Sequence, residues 1–182
     1  MHDTITIRPA ISSDIHVLAG MDHGYSTSHV WQMVVQDASA EVGISFREVR
    51  LPRPMRVGYP RHPEWLVDHW TEKLQILIAE EEQTPLGYLA FVPGPAELSV
   101  WISDVAVDLR RRRMGIGSAL IKEGLGWAQE RGYSRVFLEM QSKNFPAIGL
   151  ARKLGFAFSG YSDHHYPDQD IALFFCRGLN SG

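Results

Sequence analysis

The stretch Val105-Ala106-Val107-Asp108-Leu109-Arg110-Arg111-Arg112-Arg113-Met114-Gly115-Ile116-Gly117-Ser118-Ala119-Leu120 reads as the end of a strand, a four-arginine run, a turn spaced by two glycines, and an apolar-periodic helix. A helix entered in this way leaves its first N–H groups unpaired and aimed at whatever lies above the turn, which makes an anion cradle. Gly115 and Gly117 let backbone approach such a ligand closely, and the flanking arginines add charge with a fork geometry suited to phosphate oxygens. Two familiar cradles are excluded. A dinucleotide fingerprint needs a third glycine where Leu120 stands, and a Walker turn needs Gly-Lys-Ser/Thr where the chain has Gly117-Ser118-Ala119.

The charge balance narrows the anion further. The chain carries 18 Lys plus Arg against 21 Asp plus Glu. With four of the cations concentrated in one run, the remaining surface offers little footprint for a polyanion, so no nucleic-acid partner is expected. A length of 182 residues at 45% hydrophobic content suits a single domain over 1–182. Met1-His2-Asp3-Thr4 lacks a basic-then-apolar leader, and no apolar run approaches the roughly 20 residues of a membrane helix. The expectation is a soluble, cytoplasmic protein without a membrane partner, monomeric or a homodimer. The single cysteine, Cys176, excludes an internal disulfide and gives no metal-site spacing; in Ala172-Leu173-Phe174-Phe175-Cys176 it reads as a structural thiol.

Working outward, the pattern is an α/β chain with a mixed sheet and helices on its faces. Thr4 to Arg8 alternates as a strand, and Ser12 or Ser13 is placed to cap a helix running to about Gly20. Residues 21 to 62 are the least legible, mixing Tyr25, Trp31 and Tyr59 with a strand-like Val42 to Val49 and the piece Leu51-Pro52-Arg53-Pro54. His62 to Leu74 predicts a helix with Pro63 in its first turn and Leu66, Trp70 and Leu74 on one face. Gln75 to Glu80 and Leu86 to Val92 flank a polar turn as a hairpin, and Glu97 to Val107 follows as a long strand. After the glycine turn a helix extends to about Gly132, then a strand from Ser134 to Met140. Asn144-Phe145-Pro146-Ala147 opens another helix, capped by Asn144 and closed by Gly155. Phe156 to Tyr161 and Asp170 to Cys176 are the last strand-like pieces.

Arg112-Arg113-Met114-Gly115-Ile116-Gly117 resembles the Gln/Arg-x-x-Gly-x-Gly/Ala acyl-CoA pyrophosphate motif of the GNAT N-acetyltransferases. Asn144-x-x-Ala147-x-x-Leu150, followed by Lys153-Leu154-Gly155-Phe156, is similar to that superfamily's second motif at the expected separation. The phrasing resembles ribosomal-protein N-terminal acetyltransferases and streptothricin-type acetyltransferases. The resemblance implies the GNAT fold: a twisted, mixed but mostly antiparallel sheet of six to seven strands, helices on both faces, and splayed central strands forming an acyl-CoA cleft. It also implies a CoA-binding core over about 75–176, with the variable segment of about 21–62 on the acceptor side.

What the resemblance implies about residues is specific. The pyrophosphate of acetyl-CoA would rest on the amides of Arg112, Arg113, Met114, Gly115, Ile116, Gly117 and Ser118, with Asn144 nearby. Pantetheine would pair with the strand end Val105, Ala106 and Val107, and the Val107 N–H would polarise the thioester carbonyl, although Val105 and Val107 also suit plain core packing. An amine acceptor is mostly protonated at neutral pH, so a base is required. Glu139, in Leu138-Glu139-Met140-Gln141, resembles the glutamate that ribosomal-protein N-terminal acetyltransferases use; Asp104 competes, since mid-strand charges are uncommon unless paired or functional.

One departure matters. Many family members carry a tyrosine one residue after the Leu150 position, which protonates the departing thiolate; here Ala151 stands there. Either the thiolate leaves assisted by water or another side chain substitutes: Tyr166 in His165-Tyr166-Pro167 is favoured by resemblance to a Tyr-Tyr-Pro loop, with Tyr161, His164 and His165 as alternatives and a wall of the substrate site or an aromatic closing the sheet end as its other role. Trp31 and Trp101 are candidates to border the acceptor pocket as well as core. Asp163, His164, His165, Asp168 and Asp170 match no zinc or EF-hand spacing, and no metal is expected. The implied activity is transfer of acetyl from acetyl-CoA to a primary amine, either a small molecule or a protein N-terminus, by direct attack in a ternary complex. The alternative is a non-catalytic acyl-CoA-binding or sensing module, for which Ala151 is the main support.

Overall fold

The computed structural model describes residues 5–62 and 64–179. In chain order the elements are β1 (Thr6–Pro9), α1 (Ile15–Ala19), β2 (Tyr25–Ala38), β3 (Glu41–Val57), α2 (Trp65–His69), β4 (Gln75–Glu81), β5 (Thr84–Pro93), β6 (Ser99–Val107), α3 (Ile116–Glu130), β7 (Arg135–Gln141), α4 (Phe145–Lys153), β8 (Ala157–Ser162) and β9 (Ala172–Gly178). Seven strands form one sheet in the order β1-β4-β5-β6-β7-β9-β8, and β2 with β3 forms a separate ribbon. Every neighbouring pair in the large sheet is antiparallel except β6–β7. That exception follows from chain order: the α3 crossover returns the chain to the same end of the sheet.

Period-two alternation places one helix layer on each side. In β4 and β5, Leu77, Ala79, Leu89 and Phe91 face α3 and α4, where Ile116, Leu120, Ile121, Leu125, Ile148 and Ala151 complete one core. Ile76, Ile78, Tyr88 and Ala90 face the other way, onto Ile15 and Leu18 of α1 and Leu66 of α2. The helix α3 sits close because Gly124 has no side chain: a Cβ there would come within 2.8 Å of the Phe91 ring.

Two irregularities shape the sheet. Between β5 and β6 the register slips so that Ala90 pairs with Asp104 and Phe91 with Ile102, leaving Ser103 as a bulge. The parallel β6–β7 pairing covers only Ser99–Ile102 against Arg135–Leu138. Beyond it the two strands run on to Val107 and Gln141 without pairing to each other, and the sheet opens into a V.

Several expectations are corrected. No serine caps α1: the chain enters through a 3-10 turn, and Asp14 supplies the acceptor for the Ile11 N–H at 2.8 Å while also holding Arg8. The helix predicted over His62 to Leu74 shrinks to α2 and a 3-10 turn at Trp70–Glu72. Leu74 already belongs to the sheet edge, its N–H donating to Phe91 O at 2.9 Å, which ends the helix before its third apolar position. Pro63 lies outside the described residues. The segment 21–62, the least legible, holds a long hairpin closed by Ser39-Ala40; the strand-like Val42 to Val49 lies within its second strand, while the first strand and the pairing were not anticipated. Leu51-Pro52-Arg53-Pro54 fall in its irregular part, between the Thr27–Met55 and His29–Arg50 pairs, where missing proline N–H groups cost no ladder bonds. Among the described residues no helix is long and apolar enough to cross a membrane.

Candidate active site

The mouth of the V is where α3 begins. The first α3 bond runs from the Ala119 N–H to Gly115 O, so the amides of Ile116, Gly117 and Ser118 have no intrahelical acceptor. Gly115 holds φ +89°, the left-handed region open to glycine, and Arg113 shares that region at +67°. Gly117 has room for a methyl, whose nearest neighbours would be Leu150 at 3.6 Å and Val107 at 3.8 Å.

The strand edge beside the turn is equally exposed in hydrogen-bonding terms. The Asp108 N–H donates to Leu86 O at 2.8 Å, so Asp108 and, two residues back, Ala106 point their amides at β5. Val105 and Val107 therefore direct theirs into the V, and the Val107 carbonyl, on the same side, accepts from Arg112 Nε at 2.9 Å.

The arginine run divides its labour differently from the expected phosphate grip. Arg111 pairs with Glu81. Besides Val107 O, Arg112 donates to Gly24 O at 2.7 Å and to Asp22 O, so three main-chain carbonyls consume its guanidinium. The Arg112 side chain is thus a tie between the glycine turn and the start of β2, and only its amide remains for a ligand on the turn. Arg113 has an exposed guanidinium with no ion pair among the described residues.

Inside the V lies a cavity of about 90 Å³, lined by His23, Tyr25, Tyr59, Pro60 and Arg61 from the segment around β2 and β3, by Ser103, Asp104 and Val105 of β6, by Glu139 and Gln141 of β7, by Asn144, Ala147 and Leu150 at α4, and by Tyr166. Glu139 is nearly sealed, its side chain 8% exposed. Its Oε1 accepts from the Tyr166 hydroxyl at 3.0 Å and from Arg61, and His165 Nε2 stands 3.5 Å away. Burial pushes the Tyr166 phenol well above its ordinary range, and the Glu139 charge adds to this.

Asp104 occupies the opposite wall. It accepts from Tyr59, from Ser103 Oγ at 2.7 Å and from Lys73 Nζ at 3.3 Å. Burial raises its carboxyl from 3.8 to about 7, with the Glu139 charge acting in the same direction, while burial lowers the Lys73 ammonium. A carboxyl raised on folding binds its proton more tightly in the native state, so stability is full below pH 4 and is lost as pH rises toward 7. Asp104→Asn removes this titration. The stability of the variant relative to wild type is expected to increase between pH 4 and 7, by up to on the order of 4 kcal/mol, and then to level off. Urea midpoints at a series of pH values measure it; a pH-independent difference would show that Asp104 stays ionised throughout.

Of the residues expected at the site, Glu139, Asp104, Tyr166, Asn144 and Val105 meet in one cavity. Asn144 also caps α4, accepting from the Ala147 N–H at 3.2 Å. The two tryptophans do not line it. Trp31 is buried in the core against Phe158 and Phe175 under the Arg152 guanidinium, and the half-buried Trp101 stacks on Phe137 and meets Phe174 edge-on. Ala151 is fully buried in the α4 core. Cys176 is partly exposed, and burial raises its thiol. Among the described residues no group of three or more His, Cys, Asp or Glu is placed to hold a metal.

Arg61, Tyr59, Lys73, His23, Tyr25 and Gln141 were missed. His23 is held neutral by burial: with Nδ1 2.7 Å from Met21 O it donates there, and Nε2 accepts from the Tyr88 hydroxyl at 2.8 Å. Tyr25 donates to Gln141 Oε1 at 2.9 Å, and Gln141 donates to Asp170 Oδ2 at 2.9 Å. The one local signal was Tyr59-Pro60-Arg61, an aromatic and a cation beside a turn-forming proline with no place in a periodic element.

A sheet split between two parallel strands, with a glycine-entered helix at the split and carboxylates inside it, is the arrangement that the resemblance to the acetyltransferases implies. The chain belongs to the acetyltransferase (GNAT) family, whose profile matches residues 45–156, more than half of its length. It is 26% identical over 168 residues to streptothricin acetyltransferase of Streptomyces lavendulae, covering 90% of this chain and 87% of that protein. An Escherichia coli [ribosomal protein bS18]-alanine N-acetyltransferase is 33% identical over 67 residues, which is 37% of this chain and 45% of that enzyme. In fold, the nourseothricin acetyltransferase crystal structure matches with a TM-score of 0.81 at 22% identity over 97% of this chain and 99% of the other. A Bacillus anthracis protein solved in complex with acetyl coenzyme A matches with 0.74 at 19% identity, over 97% and 100%.

Proposed function

We propose that the protein is an acetyl-CoA-dependent N-acetyltransferase that acts on a primary amine by direct attack in a ternary complex. Residues of about 75–176 form the donor side, and the segment of about 21–62 walls the acceptor side. The observation that carries this reading is the convergence in one V of a strand edge with the Val105 and Val107 N–H groups turned inward, a helix start with free amides, and two buried carboxylates. The Val105 and Val107 edge suits an extended amide-bearing chain such as pantetheine, added as if it were another strand. The amides of Ile116, Gly117 and Ser118 suit the pyrophosphate.

Each step then has a residue. The acceptor ammonium gives one proton to Glu139, which passes it to solvent, and the freed lone pair attacks the thioester carbonyl carbon. The Val107 N–H donates to the developing oxyanion, a contribution of about 3 kcal/mol for donors of this type. As the C–S bond breaks, Tyr166 gives its proton to the sulfur and is reprotonated through Glu139, which takes the second proton from the new amide nitrogen. Tyr166 thereby fills the role that Ala151 cannot. Asp104 is the competing base, and its elevated carboxyl suits that task.

A small amine is favoured over a protein N-terminus. The streptothricin enzyme aligns along 90% of the chain, including most of the acceptor-side segment, and Tyr59 and Arg61 of that segment line the cavity beside the two carboxylates. A thiol-release assay over a panel of amines tests the proposal: CoA release should appear with compact cationic amines. Tight acetyl-CoA binding without release for any amine would leave only an acyl-CoA sensor.

A further inference from the structure

The Arg61 guanidinium is surrounded by a complete cation receptor. Nη2 donates to the Glu139 carboxylate, Nη1 donates to Ser103 O at 3.2 Å, and Cζ lies 5.6 Å from the Tyr166 ring centroid. Carboxylate, carbonyl and aromatic face are the three group types that recognise an organic cation. Each is fixed independently of Arg61. Ser103 is the bulge residue of β6. Glu139 is held within the β7–β9 ladder, and Tyr166 is anchored by its own N–H to Asp170 O. The occupant, by contrast, comes from the loop after β3, and its side chain is a third exposed.

We infer that this seat belongs to the ammonium head of the acceptor and that Arg61 is a placeholder which the acceptor displaces. The inference rests on the proposed transferase reading for the identity of the displacing cation, though not for the existence of the seat. Arg61 occupies the position beside Glu139 that the acceptor amine must reach to give up its proton. Displacement also brings the ammonium against Glu139, so recognition and deprotonation use the same carboxylate. The acceptor is therefore a cation whose charge is at the amine that reacts. An uncharged arylamine, lacking the charge that displaces Arg61, is a poor substrate.

Removing a placeholder raises apparent affinity by the inverse of the fraction of time the seat is free. Arg61→Ala is expected to lower the acceptor KM by about tenfold while acetyl-CoA affinity stays within twofold, and Arg61→Lys is expected to retain the wild-type KM. Methylguanidine is the direct probe. By calorimetry it should bind Arg61→Ala and compete with the acceptor, bind wild type about tenfold more weakly, and not bind Arg61→Ala/Glu139→Gln. Arg61→Ser serves in the same tests if the alanine variant does not fold. An acceptor KM that is unchanged or raised, with kcat reduced, would overturn the placeholder and make Arg61 a positioning residue for Glu139. Methylguanidine binding without CoA release for any amine would keep the seat and sink the transferase reading. CoA release without methylguanidine binding would do the reverse.

Discussion

Glu139→Gln is expected to reduce turnover by about two to four orders of magnitude, the range for losing a general base, and to flatten the rise of rate with pH. The amide matches the carboxylate in size and can still accept from Arg61 and Tyr166, so the loss is of proton affinity rather than of packing. Acetyl-CoA affinity should not change, because Glu139 lies on the acceptor wall and the donor turn is built by β6 and α3. A retained pH–rate profile in this variant, together with loss of an inflection near pH 7 in Asp104→Asn, would transfer the base role to Asp104, whose carboxyl titrates near there.

Gly117→Trp is expected to abolish donor binding, with CoA affinity by calorimetry falling by at least about a hundredfold, while the fold persists. A Cβ at this site meets only ordinary contacts, 3.6 Å to Leu150 and 3.8 Å to Val107. The indole beyond it has no space in the core and must stand over the turn, in front of the unpaired amides. Wild-type CoA affinity in a folded Gly117→Trp protein would remove the pyrophosphate from this turn.

The core of the fold was legible because its signals are local. Period-two apolar runs in β4, β5, β7 and β9, the Asn144 cap with proline in the following turn, and Gly155 at φ +79° each express a short-range preference. Of the β2–β3 ribbon only Val42 to Val49 was legible as strand; the hairpin was not, because Ser39-Ala40 lacks the Asn-Gly signal of tight hairpins and Pro52 and Pro54 argue against a strand unless a bulge excuses them. At the site, Glu139 and Asp104 stood out as charges inside apolar strands. Arg61 and Lys73 did not, since a cation in a loop or after a helix reads as solvated, and only tertiary placement turns it inward. The arginine run misled in one respect. Arg112 reads as a phosphate ligand by composition, yet the carbonyls of Asp22, Gly24 and Val107 lie within its reach and claim it.

The most direct measurement is mass analysis of a streptothricin-class amine incubated with acetyl-CoA and either the wild-type protein or Glu139→Gln. The wild type should add one acetyl group to the amine with release of one CoA per product, and Glu139→Gln should bind acetyl-CoA normally and form little product. Bound acetyl-CoA with the amine unmodified by the wild-type protein, across every cationic amine offered, would contradict the account.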